Sequence, residues 1–515
     1  MLHKISNQYA LQLLCLFLLP LIFYQVLYAD YAYLDEAHQL WHNQDGSNYT
    51  LFMVHGRPLT GWIIDQLFSA VPSIAALKFL RIISFLGWIL TIISFSIHCR
   101  KWVIAAGVNE KIVPITTLLL CCSASVAIYI GWASCLEIFL ATACGLFSGN
   151  ILFNLIHHQQ GRLQIPTGKF LIVLALGLIS LFMYQIAFGI FLLPFFIYYL
   201  GKKFEKLNRT VVIGIGVYLF INGLYYLLFK YSMKQAGVVA NERTDLSFDV
   251  LNKIAFFFST PLAQAFSFNF LYNIRGLFSQ LFYYGIFACW VVSLFLLNMN
   301  RDHSVTVKFR HLLRTLVLLG LIYLPILVAK ENFASYRTML ALNLAGCILI
   351  MDTFLHWIQK DRYQTIFMYS VCCILIITGF INFKRNFIEP LRQEYHAVRE
   401  YLQDHYSAKI RKIYFIRPPE SLFRQTHSIN VYRDEFGLPS TFKDWTPDPL
   451  VRQIITEMTG NRKTAEKIEI VQFSGRSEFD QQAVTAKPEY LIMDAEAIIK
   501  NETRHGVAGD INKVE

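Results

Sequence analysis

Residues Tyr9 to His42 read YALQLLCLFLLPLIFYQVLYADYAYLDEAHQLWH. An apolar run, about 9–29, leads straight into two adjacent acids, Asp35 and Glu36, set among Tyr31, Tyr33, Leu34, Leu40 and Trp41. About 20 apolar residues cross a bilayer core, so this stretch reads as a membrane span with a carboxylate pair at its rim. The first span could pass for a signal peptide, but its apolar core is longer than the usual one and Leu27-Tyr28-Ala29 is a poor cleavage site, so it reads as an uncleaved anchor.

Working outward, ten more runs repeat the pattern: about 75–97, 112–131, 134–156, 170–184, 186–200, 210–229, 281–299, 313–329, 338–358 and 363–383. Phe170 to Leu200 is long for one span and short for two, and is split at Tyr184-Gln185. Of 515 residues, 55% are hydrophobic and 16% charged, with a mean hydropathy of +0.42, which excludes an ordinary soluble protein. The expected fold class is therefore an all-α polytopic membrane domain of about eleven transmembrane helices.

With the amino terminus inside, the inner loops HCRKW…NEK, HHQQGRLQIPTGK, GKKFEKLNR, RDHSVTVKFRHLLR and QKDR each carry at least two Lys or Arg. The outer loop at about 30–74 carries one, Arg57. That is the positive-inside pattern. The net charge of +11 thus reports topology, and no nucleic-acid partner is expected. Outer loops of some size fall at about 30–74 and 230–280, with a short one at 330–337. All ten cysteines lie in spans or at the inner edge, so neither a disulfide framework nor a paired-Cys zinc motif is expected outside.

Residues 1–384 form the membrane domain, and 385–515 a soluble tail on the outer side. The tail has 19 basic and 20 acidic residues and is nearly neutral. IEPLRQEYHAVREYLQDHY and LVRQIITEMTG have helical periodicity, while KIRKIYFIR, EKIEIVQF and EYLIMDA read as strands. A small α/β or α+β domain follows.

The plain reading of Asp35-Glu36 is a solvated pair at a span end. Their apolar setting argues otherwise, because a partly desolvated carboxylate is raised toward a useful base. HGRPLTGWIIDQLF, in the same loop, reads as an amphipathic surface stretch covering the acids. The lone Arg57 suggests a fixed anion, either a carboxylate or a phosphate. His38 and His42 share a helix face, and Glu36 with His55 would complete a metal site, but the order lacks a metalloprotease spacing and no metal is assigned. His38 and His55 are kept as substrate-contacting rim residues. In AKENFASYRTML, Lys330, Glu331 and Arg337 cluster in an outer turn; snorkelling span ends would explain them, yet Arg337 heads a span where it could grip a lipid phosphate. Glu137 is a costly acid a few residues inside a span. Tyr184 and Gln185 are polar at a hairpin top.

The acid pair after span one, HGRPL, the YQ hairpin and an Arg-headed late span together resemble the GT-C glycosyltransferases. They are most similar to bacterial glucosyltransferases that modify O-antigen in lipopolysaccharide. The resemblance covers about 1–384; the common form has two Asp where this chain has Asp35-Glu36, and the tail matches no known fold. It implies a GT-C-like hexosyltransferase on the outer face of the bacterial inner (plasma) membrane. The donor would be a polyprenyl-phosphate sugar and the acceptor a surface glycan or glycolipid of the cell envelope, with inversion at the anomeric carbon. One acid would take the acceptor proton; family position favours Asp35, and the residues alone leave Asp35 and Glu36 open. Arg57, Arg337 and Lys330 would hold the donor phosphate, whose developing charge needs positive partners. Glu137, Tyr184, Gln185, Glu331 and the two histidines would contact substrate. No cofactor is required, and a divalent cation is left open.

Other readings are a carrier or flippase of lipid-linked glycan, a polymerase or ligase of surface polysaccharide, and a sensor or scaffold. A carrier would place its charges at the midplane and often show repeats. Here the acids cluster at one rim, and the 230–280 loop holds few Arg for a polymerase.

Overall fold

A computed structural model describes residues 22–43, 45–157, 166–202, 208–237, 244–268, 277–296, 304–427, 437–482 and 487–501. The first expected span, 9–29, lies almost wholly outside them. Among the described residues six helices are long and apolar enough to cross a membrane: Ile74–Ala106, Ala133–His157, Arg209–Gln235, Leu277–Phe295, Leu340–Trp357 and Asp361–His405. A seventh is the pair Ile112–Cys122 and Ala124–Gly131, bent by 41° where Ser123 caps the second helix by accepting from the Val126 N–H.

The remaining expected spans are helical but fall short. Thr167–Met183 and Gln185–Gly201 are apolar and brief, and they meet at a break where Tyr184 is extended. The 313–329 run belongs to Val305–Ile322, which carries Lys308, Arg310 and Arg314, followed by the short helix Leu324–Val328. Among the described residues six to seven helices are thus apolar and long enough to span a membrane; of the four other expected spans, three are these shorter segments and one, 9–29, lies almost wholly outside the described residues.

The last span does not stop at residue 384. Asp361–Phe383 runs through a π-helical turn, Lys384–Ile388, into Glu389–His405. Pro390 cannot donate to the helix ladder, and the wider turn just before it lets the helix continue. The expected boundary between membrane domain and tail therefore falls inside one unbroken helix.

Beyond it, all three strand-like runs form strands: β1 (Lys412–Ile416), β2 (Glu469–Phe473) and β3 (Tyr490–Asp494). They make a parallel sheet in the order β2-β1-β3, with Lys412 opposite both Glu469 and Tyr490. Helix Pro447–Thr459 ends on Gly460 at φ 67, as its Gly signal implies. Helices between parallel strands make this an α/β unit. Its buried Leu450, Val451 and Ile454 join the same apolar core as the membrane helices.

That shared core includes the 30–74 loop. Helix Asp35–Trp41 packs on Pro447–Thr459. The Arg462 guanidinium lies 4.3 Å over the Trp41 ring and donates to Trp41 O at 2.8 Å. Glu457 accepts from the Ile74 N–H at 2.7 Å, and Arg392 pairs with Asp30 at 2.9 Å. The tail grips both ends of the loop.

Candidate active site

A cavity of ≈ 510 Å³ brings together residues far apart in the chain: Asp35, His55, Arg57, Tyr184, Gln185, Glu331 and Arg337 line it. The rest of its wall is largely apolar, including Leu219, Phe229, Leu324 and Ile326.

The two acids part company there. Consecutive helical residues point about 100° apart, and helix Asp35–Trp41 begins at Asp35 itself. Asp35 turns to the cavity. Glu36 turns inward, where it is fully buried and paired with the equally buried Arg81. It also accepts from the N–H groups of Tyr33, at 2.7 Å, and Ala133. Burial pushes its carboxyl pKa up, against the pull of Arg81 and these N–H groups.

Arg81 is a hub. It donates to Gly131 O at 2.9 Å, Ala29 O at 2.5 Å and Tyr31 O at 2.9 Å, with its guanidinium 4.0 Å from the Tyr31 ring centre. Tyr31 Oη also donates to Gly131 O at 2.7 Å. Gly131 ends helix Ala124–Gly131, whose last carbonyls lack helical partners, so a cation suits that end. The hub thus ties the acid-bearing segment to a helix terminus.

Leu34, just before Asp35, has φ 46 and ψ −108, a region costing a non-glycine residue on the order of 1–3 kcal/mol. Such strain persists only where surrounding contacts impose it.

Arg57 is the N-cap of helix Pro58–Ser69, whose Thr60 donates to Met183 O at 2.7 Å. Its Nε donates to Gln185 Oε1 at 3.0 Å, and its guanidinium lies 4.4 Å over the Tyr184 ring. Gln185 Nε2 donates to His55 O and Tyr225 Oη, both at 2.8 Å, and Tyr225 Oη donates to Gly56 O at 2.9 Å. Gly56 has φ +74, and a Cβ there would collide with Tyr225 Oη and come within 2.8 Å of Gln185 Nε2. The glycine of HGRPL is fixed by this close approach and by its left-handed backbone.

Arg337 stacks 4.3 Å over Trp132, and its Nη1 makes a long 3.8 Å contact with Cys135 Sγ. Its carbonyl accepts from Tyr129 Oη at 2.5 Å and Tyr184 Oη at 3.3 Å. Glu137 does not line the cavity. It is buried behind it, within electrostatic reach of both Arg57 and Arg337. Both guanidiniums are stacked on aromatic rings and feel one buried carboxylate, and the stacking restrains planar cations and their donors.

Glu331 also lines the cavity. The segment around it is pinned by a bridge between Leu246 and Ala329 and by Lys330 N–H donating to Asp245 O at 2.7 Å. Lys330 itself is exposed and does not line the cavity. Lys253 holds the turn instead: its Nζ donates to Lys330 O, Glu331 O and Asn332 Oδ1 at 3.2, 3.3 and 2.6 Å.

His38 also stays outside the cavity. It lies against His42 with ring centres 4.4 Å apart, and burial, then the nearby His42, lowers its pKa. His42 pairs with Asp45 at 2.6 Å. Glu36, His38, His42 and His55 are therefore not assembled around one point, and among the described residues no group of three or more His, Cys, Asp or Glu could hold a metal ion.

Arg81, Tyr225 and Lys253 went unread in the sequence. Arg81 carried a signal, a fixed charge within an apolar span (FLRIISF), of the kind that marks a partner inside the fold. Tyr225 and Lys253 carried none, since a tyrosine in a span and a loop lysine are common. Compared with known proteins, the chain matches no family model, no curated protein and no solved structure.

Proposed function

We propose that the protein is a membrane glycosyltransferase that moves a sugar, glucose or another hexose, from a polyprenyl-phosphate donor to a surface glycan such as O-antigen on the outer face of the bacterial inner membrane. One observation carries this reading: a single cavity combines the carboxylate of Asp35, the guanidiniums of Arg57 and Arg337, and a long apolar wall. These are the parts the transfer needs. Asp35 takes the acceptor hydroxyl proton as that oxygen attacks the anomeric carbon. The phosphate leaves from the opposite face, its growing charge met by Arg57 and Arg337. Isoprenoid units lie along Leu219, Leu324 and Ile326, while Gln185 and Tyr184 keep Arg57 oriented.

Within this reading Asp35 is the base. Glu36 is a positioning residue, since its carboxylate is engaged by Arg81 and two backbone N–H groups. Glu137 acts through the two arginines.

The test is mass spectrometry of surface glycans from cells with and without the protein, beside cells carrying Asp35→Asn. A mass gain of one hexose that requires Asp35 is the expected result. Movement of intact lipid-linked glycan across the membrane, with no new glycosidic bond, would replace this reading with a carrier.

A further inference from the structure

We infer that the carboxy-terminal tail is part of the catalytic apparatus, because Ser440, Thr446 and Glu394 hold the strained turn that presents Asp35. The inference rests on the transferase reading above.

The contacts converge on one residue. Leu34 N–H donates to Ser440 Oγ at 2.9 Å, and Ser440 Oγ donates to Ala32 O at 3.3 Å. Thr446 Oγ1 donates to Leu34 O at 3.4 Å. Both backbone polar groups of the residue with the unfavourable φ are thus held by the tail, across more than 400 residues of chain. A hydroxyl that both accepts and donates fixes two points of a turn at once.

Ser440 is itself fixed. Glu394 Oε2 accepts from the Ser440 N–H at 2.8 Å, while Oε1 accepts from the Thr441 N–H at 2.8 Å and Thr441 Oγ1 at 2.6 Å. Glu394 is buried on the helix that continues the last span. A chain of contacts therefore runs from span to Glu394 to Ser440 to Leu34, and the next residue is Asp35. The tail could grip the outer loop anywhere; its hydroxyls grip the residue whose backbone angles aim the cavity acid. Ser440, Thr446 and Glu394 are positioning residues, since none of them lines the cavity.

The test uses full-length protein in membrane vesicles with a polyprenyl-phosphate hexose and an added glycan acceptor. Ser440→Ala and Thr446→Val each lower kcat roughly ten- to a hundred-fold, because misplacing a reacting group by about 1 Å has that effect. Donor KM stays within about twofold, since Arg57 and Arg337 are untouched. Thr446→Ser, which keeps the hydroxyl, restores the rate, and Ser440→Ala adds no further loss on top of Asp35→Asn. Unchanged kcat in both Ser440→Ala and Thr446→Val overturns the inference, as does a rise in KM that accounts for the whole loss. Hydrogen exchange at Leu34, measured on the same proteins, separates this failure from failure of the transferase reading. If the wild type transfers no sugar, faster exchange at Leu34 in Ser440→Ala still supports the clamp, and unchanged exchange overturns it.

Discussion

Asp35 and Glu36 are adjacent in the chain and opposed in role: one lines the cavity, and the other is locked against Arg81 with neither side chain of that pair exposed. Substitutions at the two acids should therefore fail in different ways. Asp35→Asn should leave membrane insertion and thermal stability intact while lowering transfer at least about a hundred-fold, the scale of a lost general base. Glu36→Gln should leave Arg81 buried without its counter-ion, at about 3–5 kcal/mol. It should show first as a lower melting temperature and a poor yield of folded protein. Equal stability of the two variants would show that the Glu36–Arg81 pair does not hold the fold.

Arg57→Lys should not rescue Arg57→Ala. A lysine keeps the charge but lacks the Nε that bonds Gln185 and the plane that stacks on Tyr184. Both variants should raise donor KM, and a lysine variant with wild-type KM would reduce Arg57 to a simple point charge.

Gly56→Ala should damage the same site without touching a charge. The added Cβ meets Tyr225 Oη and Gln185 Nε2, and the left-handed backbone costs a further 1–2 kcal/mol or so. The expected outcome is weaker donor use together with lost stability. Tyr225→Phe in the same background should recover part of the activity by removing the clashing oxygen.

Of the cavity-lining residues, Asp35, Arg57, Gln185, Glu331 and Arg337 were legible for one reason: a charge or amide set in apolar sequence must be either strained or used. Arg57, Arg337, Gln185 and Asp35 announce themselves in this way. Glu36 looked equivalent to Asp35 because sequence does not record which way a helix faces. Lys330 was read with Arg57 and Arg337 as a phosphate ligand; it does not line the cavity, and the turn that carries it is held by Lys253, whose Nζ reaches across from another loop segment. The strands of the tail were readable from β-branched and aromatic runs, whereas their shared core with the 30–74 loop depends on pairs such as Leu34 and Ser440, which no local pattern predicts.

Lys253→Met should loosen that turn. Three acceptors on residues 330–332 lose a charged donor, each such bond being worth about 1.5–3 kcal/mol. Hydrogen exchange at Glu331 should rise and donor affinity should fall, while Asp35-dependent chemistry at saturating donor persists.

Acid should weaken the tail's attachment by a defined route. Burial opposes the charge on Asp30, but His396 and Arg392 outweigh it and bring its pKa from 3.8 down to about 2. A lowered carboxyl pKa adds stability that is complete above about pH 4 and is lost as pH falls toward 2. Protease sensitivity of the tail, followed down that range, should rise in the wild type and change far less in Asp30→Asn.

The helix Asp361–His405 gives the molecule a fixed height. Its 45 residues rise about 68 Å at 1.5 Å each, more than twice a bilayer core of about 30 Å. This helical mast carries Glu394 and, through Ser440 and Leu34, the acid that lines the cavity. Adding a single residue to the mast would lift that point by about 1.5 Å and swing it by about 100°. The placement of Asp35 is then tied to helix length, through a segment that does not line the cavity.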